Sequence, residues 1–158
     1  MSISFPDYLN YVDATLIQNG FNTTLIPQVD RAFYKREFKM LTSRNETYCI
    51  LKYIGDELVP ERVQTISNVI FDYVAKLKKG DYLFCYPIIV TETISEEVRN
   101  FIKSYNNKHF SMFEFPVIME LSSGNLSYFT GTPMVGFAMY EGLRNNAKKW
   151  LQYQDFHL

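Results

Sequence analysis

Residues 32–54, AFYKREFKMLTSRNETYCILKYI, place two kinds of strand in succession. In the first arm Phe33, Lys35, Glu37, Lys39 and Leu41 alternate with Tyr34, Arg36, Phe38 and Met40, so the charges fall mainly on one face. The second arm, Tyr48-Cys49-Ile50-Leu51-Lys52-Tyr53-Ile54, is apolar on both faces, as expected of a central strand covered on either side. Ser43-Arg44-Asn45 has turn chemistry and reads as the link of a hairpin. A doubly covered strand needs helices above and below its sheet, and helical patterns flank this hairpin on both sides.

Upstream, Ser4-Phe5-Pro6-Asp7 combines a capping hydroxyl, a first-turn proline and an acid. Leu9, Val12, Leu16 and Ile17 then recur at helical spacing, and Asn19-Gly20 is a stop, which predicts a helix over 5–19. FNTTLIPQV reads as a short strand ending at Pro27. Downstream, Val59-Pro60-Glu61-Arg62 opens a helix whose apolar stripe is Val63, Ile66, Val69, Ile70, Tyr73, Val74 and Leu77. Lys76, Lys78 and Lys79 before Gly80 suit its C-terminal end. YLFCYPIIVT is a second buried strand, with Pro87 implying a bulge or a place near the sheet edge.

Thr93 to Glu96 reads as a capping box for a helix that buries Val98, Phe101, Ile102 and Tyr105. After a polar loop at Asn106-Asn107-Lys108, FEFPVIMEL and LSYFT form a second hairpin through Ser122-Ser123-Gly124-Asn125. Thr132-Pro133 caps a last helix that buries Val135, Met139, Gly142, Leu143, Ala147, Trp150 and Leu151 on one face. Repeats, linkers and low-complexity segments are absent from the sequence, so residues 1–158 are expected to form one globular domain. The order helix, three strands, helix, strand, helix, hairpin, helix predicts a three-layer α-β-α fold with a mixed central sheet.

Composition narrows the chemistry. The chain is 47% hydrophobic, enough for a sizeable core, and its 16 basic and 17 acidic side chains leave a net charge of −1. That balance provides no overall field toward nucleic acid or an anionic membrane. Cys49 and Cys85 lie in apolar runs, where a thiol is usually a small buried hydrophobe. The N-terminus has no signal-peptide pattern and no run of about 18 apolar residues is present, so a reduced cytoplasmic protein off the membrane is expected.

The element order over residues 5–105 resembles the restriction-endonuclease-like fold, the PD-(D/E)xK family. The resemblance implies an acid near the start of one core strand and an acid-x-lysine triplet on the next, which hold divalent metal and position the attacking water. Two placements are available. The literal one takes Asp30 with Glu37-Phe38-Lys39, whose triplet lies on the second strand. The topological one takes Ile50-Leu51-Lys52, where the lysine is present and the acid has become Ile50, a side chain that cannot ligate a hard cation. The resemblance therefore implies a scaffold whose catalytic motif is degenerate.

Other chemistries have less support. His109 and His157, the only histidines, fall in a polar loop and next to the C-terminus, without the context of an oriented base. No short-spaced Cys/His pair marks a zinc site and no Gly-rich loop carries a P-loop lysine. Arg31, Lys35, Arg36 and Lys39, interleaved with aromatics, are candidates for contacting unpaired nucleic acid. The thin stretch Gly136, Ala138 and Gly142 suits packing against the sheet, or a dimer contact anchored by Tyr140, Trp150 and Tyr153. We expect a non-catalytic binding or assembly module without cofactor, a homodimer or partner of another protein. The alternatives are a Mg-dependent nuclease using Asp30, Glu37 and Lys39, and a nucleic-acid binder without catalysis.

Overall fold

The computed structural model describes residues 2–39, 43–133 and 136–154. Its elements run α1 (Phe5–Gln18), β1 (Asn22–Thr23), β2 (Arg31–Lys39), β3 (Ser43–Tyr53), α2 (Pro60–Ala75) and β4 (Tyr82–Thr91). They continue with α3 (Glu96–Lys103), β5 (Asn107–His109), β6 (Met112–Glu114), β7 (Val117–Glu120), β8 (Asn125–Ser127) and α4 (Phe137–Leu151).

Strand β3 is central, as its two apolar faces predict. It pairs antiparallel with β2 and parallel with β4 inside a mixed sheet of order β1-β2-β3-β4-β6-β5, with β7 also beside β4 and β8 outside β7. The alternation of side chains sorts the strands onto two helical layers. Phe33, Cys49, Leu51, Tyr86, Ile88, Val90, Val117 and Met119 face α1 and α4, which bring Tyr8, Val12, Leu16, Tyr140, Leu143, Ala147, Trp150 and Leu151. Ala32, Tyr48, Ile50, Leu83 and Cys85 face Ile70, Phe71 and Val74 of α2. Ile89 and Ile118 meet Val63 of α2 and Val98 and Ile102 of α3. The fold is therefore the expected three-layer α-β-α arrangement with a mixed sheet, each fully buried aliphatic contributing about 1.5–3 kcal/mol.

Several local expectations need correction. Only Asn22–Thr23 of FNTTLIPQV is strand, pairing with Tyr34 and Phe33, because the chain then turns through Pro27 and a left-handed Gln28 (φ 66°). Ser43-Arg44-Asn45 belongs to β3 and not to a turn, and the chain reversal lies outside the described residues. Met40, Leu41 and Val135 also fall outside them. The cap of α3 is Ser95, whose hydroxyl accepts from Val98 N–H at 3.2 Å, and not Thr93. Helix α4 begins after Gly136, in the left-handed conformation (φ 82°), and not at Thr132-Pro133. Gly142, expected on its buried face, is exposed. The Asn106–Lys108 region contains an unexpected edge strand, β5, hydrogen-bonded to β6.

Pro87 lies mid-strand in β4, at the sheet centre and not near its edge. Cys85 accepts from Phe115 N–H at 2.8 Å, so odd-numbered residues of β4 direct their backbone groups toward β6 and β7. The donor that Pro87 lacks therefore falls opposite Phe115-Pro116, where β6 ends and β7 begins. FEFPVIMEL is one strand position broken in two, and the break and the proline occupy the same gap.

The face of α2 also differs from its expected stripe. Val63, Ile70 and Val74 are buried together with Ser67 and Phe71, whereas Val69, Tyr73 and Leu77 are exposed. No helix among the described residues is long and apolar enough to cross a membrane.

A candidate groove and a buried carboxylate

On the α4 side, the helices cover the sheet only from the row Phe33–Cys49–Tyr86 onward. Two rows nearer the start of β3 and β4 form the floor of a groove. Lys35 pairs with Thr47 and Thr47 with Phe84, while Glu37 pairs with Asn45 and Asn45 with Tyr82. All six line a cavity of about 610 Å³ whose other wall is α4, through Ala138, Met139, Gly142, Leu143, Asn146, Lys149 and Trp150. The floor thus grades from charged on β2, through neutral polar on β3, to aromatic on β4, a distance of about 10 Å across two strand spacings.

The groove's polar groups are partly held. Lys35 Nζ donates to Asn19 O at 2.8 Å, lies over the Phe21 ring at 5.5 Å, and is 3.7 Å from the Glu37 carboxylate. Ser43 donates to Asn45 Oδ1 at 3.1 Å, and Tyr86 donates to Leu143 O at 3.1 Å, joining sheet to helix. Trp150 packs edge-on against Phe21 and Tyr86, and its buried indole N–H has no hydrogen-bond partner among the described residues. A buried donor left unpaired is uncommon in folded proteins. An added Cβ at Gly142 meets nothing within 4 Å, so the groove is open at that point of α4.

The sequence candidates separate in space. Asp30 and Glu37 are seven positions apart along one extended segment, about 23 Å at roughly 3.3 Å per residue, and they line different cavities. Asp30 has a structural task, its carboxylate accepting from Tyr53 N–H at 2.6 Å at the end of β3. The literal acid, acid and lysine set is therefore not one site, because a strand cannot fold its two ends together; the Lys39 side chain lies outside the described residues. Among the described residues no group of three or more His, Cys, Asp or Glu side chains is placed to hold a metal ion. At the topological position Ile50 is fully buried against α2.

The basic residues do not form one patch either. Arg31 pairs with Asp13 at 3.2 Å, Lys35 faces α4, and Arg36 faces the α2 side beside Tyr34 OH and the buried Glu46. Strand alternation sends Arg36 to the opposite face, while Arg31 and Lys35 share one face four positions apart. Tyr140 and Trp150 are core residues, 1% and 6% exposed, and Tyr140 donates to Asn106 Oδ1 at 2.6 Å. They are unavailable as dimer anchors, and Tyr153 packs on Tyr11 of its own chain.

A second polar centre escaped the sequence reading. Glu114 on β6 is buried on the α2 side and accepts from Ser67 Oγ, from Tyr105 OH at 2.6 Å and from Asn107 Nδ2 at 3.1 Å. His109 Nε2 lies 3.0 Å from its other oxygen, and the imidazole stacks on Phe71. Burial, then the bond to Glu114, push the Tyr105 phenol up. His109 is thus an oriented histidine on a strand, not a loop residue. The connectivity is nevertheless wrong for nucleophilic catalysis, since hydroxyl and imidazole both engage the carboxylate, whereas a nucleophile needs the imidazole in the middle. Ser67 is also fully buried. The signal was an acid inside the apolar run FEFPVIMEL; its partners come from segments up to 47 positions away. His157 lies outside the described residues.

Comparison of the chain with protein-family models, with curated proteins and with solved structures found no match.

Proposed function

We propose that this chain is a non-catalytic binding module on an α/β scaffold, and that its ligand occupies the groove between α4 and the first residues of β3 and β4. The observation that carries the reading is the groove itself: a floor of charged, polar and aromatic side chains that faces α4, with open space at Gly142. Its volume of about 610 Å³ is in the range of small-ligand and peptide sites. Restriction-endonuclease-like ancestry is part of the same reading, supported by the order α1, three strands, α2, β4 and by Lys52 two positions after the buried Ile50. Incubation of the purified chain with Mg²⁺ or Mn²⁺ and single- or double-stranded DNA tests it: no cleavage is expected, and cutting that Glu37→Ala removes overturns it.

A second reading, assembly of two copies, is favoured by exposed Val69 and Tyr73 on α2 and Leu77 just beyond its end, at 63%, 40% and 40% exposure. Light scattering on the wild type and on Tyr73→Glu decides it; a monomer at high concentration removes self-assembly.

A further inference from the structure

We infer that the groove takes an extended peptide segment of a partner protein, one that seats an aromatic side chain over Tyr82 and Phe84 and presents both signs of charge toward β2. This inference rests on the binding reading above and adds the ligand's chemical class.

Several features of the groove converge on it. At the β4 end of the floor, Tyr82 is 38% exposed and Phe84 is half-buried in a stacked pair with Phe113, so ring faces are offered to an incoming aromatic group. About 10 Å away, at the β2 end, opposite charges stand side by side, Lys35 and Glu37 at 3.7 Å. A phosphate drawn to Lys35 would meet the Glu37 carboxylate, whereas a peptide with an acidic and a basic side chain satisfies both. An extended chain covers that span in about three residues. Between the ends, Asn45, Thr47 and Asn146 supply amide and hydroxyl groups of the kind that pair with a peptide backbone. Trp150 lines the groove, with its indole N–H buried and without a partner among the described residues. Small residues at Ala138 and Gly142 leave room for main chain to lie against α4.

Trp150 is the only tryptophan, so its emission reports on the groove directly. The probes are blocked, tryptophan-free pentapeptides with one Phe and, two or three positions from it, one Lys and one Glu. Controls replace the Phe or the charged pair by Ala, and adenosine monophosphate is titrated as a non-peptide ligand. We expect a saturable shift of Trp150 emission by the parent peptides below about 1 mM. Replacing the peptide Phe, or introducing Tyr82→Ala, should weaken it about tenfold. Gly142→Leu should abolish the shift while the thermal transition stays at or above that of the wild type. Saturation by adenosine monophosphate but by no peptide, with loss in Gly142→Leu, leaves the groove as the site and overturns the peptide. Peptide binding unchanged by Gly142→Leu overturns the groove. No saturation by any probe overturns both.

Discussion

Two glycine-to-alanine substitutions are expected to move stability in opposite directions, and the structure determines both signs. Gly142 lies inside α4 on a solvent-facing position, where an added Cβ meets no atom within 4 Å. Glycine inside a helix costs about 0.8–1.0 kcal/mol relative to alanine through backbone entropy. Because the new methyl neither clashes nor packs, Gly142→Ala should recover about that amount. For 158 residues, an unfolding entropy of about 2.1 cal/mol/K per residue converts it to a rise in Tm of roughly 3 °C. At Gly80 the same methyl would sit 2.6 Å from the carbonyl oxygen of Arg44. That carbonyl accepts from Asp81 N–H at 2.8 Å, and the Asp81 carboxylate accepts from Arg44 N–H at 2.7 Å, so the backbone cannot retreat without breaking the pair. Gly80→Ala should cost about 1–3 kcal/mol and lower Tm by several degrees. Calorimetry and urea melts of both variants read the effect. A fall in stability for Gly142→Ala, or none for Gly80→Ala, refutes the placement of α4 or of the α2–β4 connection.

Glu114→Ala removes the shared acceptor of Ser67, Tyr105 and Asn107, and should cost about 2–4 kcal/mol in a urea melt, with Glu114→Gln intermediate. Burial raises the Glu120 carboxyl, but bonds from Ile94 N–H and Ser123 and the charge of Arg99 outweigh it and leave it lowered. Its stabilisation should therefore be full above the ordinary glutamate range and decline as pH falls through the folded value, a decline that melts at stepped pH should find flattened in Glu120→Gln. Both thiols are buried and pushed up by burial. Neither should react with a thiol reagent until denaturant unfolds the chain, and native-state labelling of Cys49 or Cys85 contradicts this packing.

Features that depend on alternation within one segment were readable from the sequence. Tyr48 to Tyr53, apolar on both faces, identified the central strand, and with it the need for two helical layers. Ser4 caps α1 as its pattern predicts, with its hydroxyl accepting from Asp7 N–H at 3.1 Å. What escaped detection depends on partners distant in the chain. Pro87 suggested an edge because a lone sequence does not reveal that the neighbouring strand breaks opposite it. Tyr140 and Trp150 resemble surface anchors until the sheet is laid under α4. The charged arm drew attention as a motif, but its residues divide between two faces, and among the described side chains Lys35 and Glu37 share the groove. Glu114 left a visible trace, an acid between phenylalanines, but naming its partners required the meeting of α2, the segment after α3, and β5.

Among the described residues, β1 pairs with β2 at Phe33 and Tyr34 and Thr24 N–H donates to Ala32 O, which leaves the outer edge of β2 from Lys35 onward without a strand neighbour. Unpaired amide and carbonyl groups along an exposed edge are a template for growth by other chains. From Lys35 to Phe38 that edge carries two cations and one anion in four positions, and charges of this kind make strand addition by a random hydrophobic segment unfavourable. The cluster that first resembles a catalytic motif thereby disfavours strand addition at this edge. Neutralising Lys35 and Arg36 together would be expected to leave the fold in place and shorten its lifetime before aggregation.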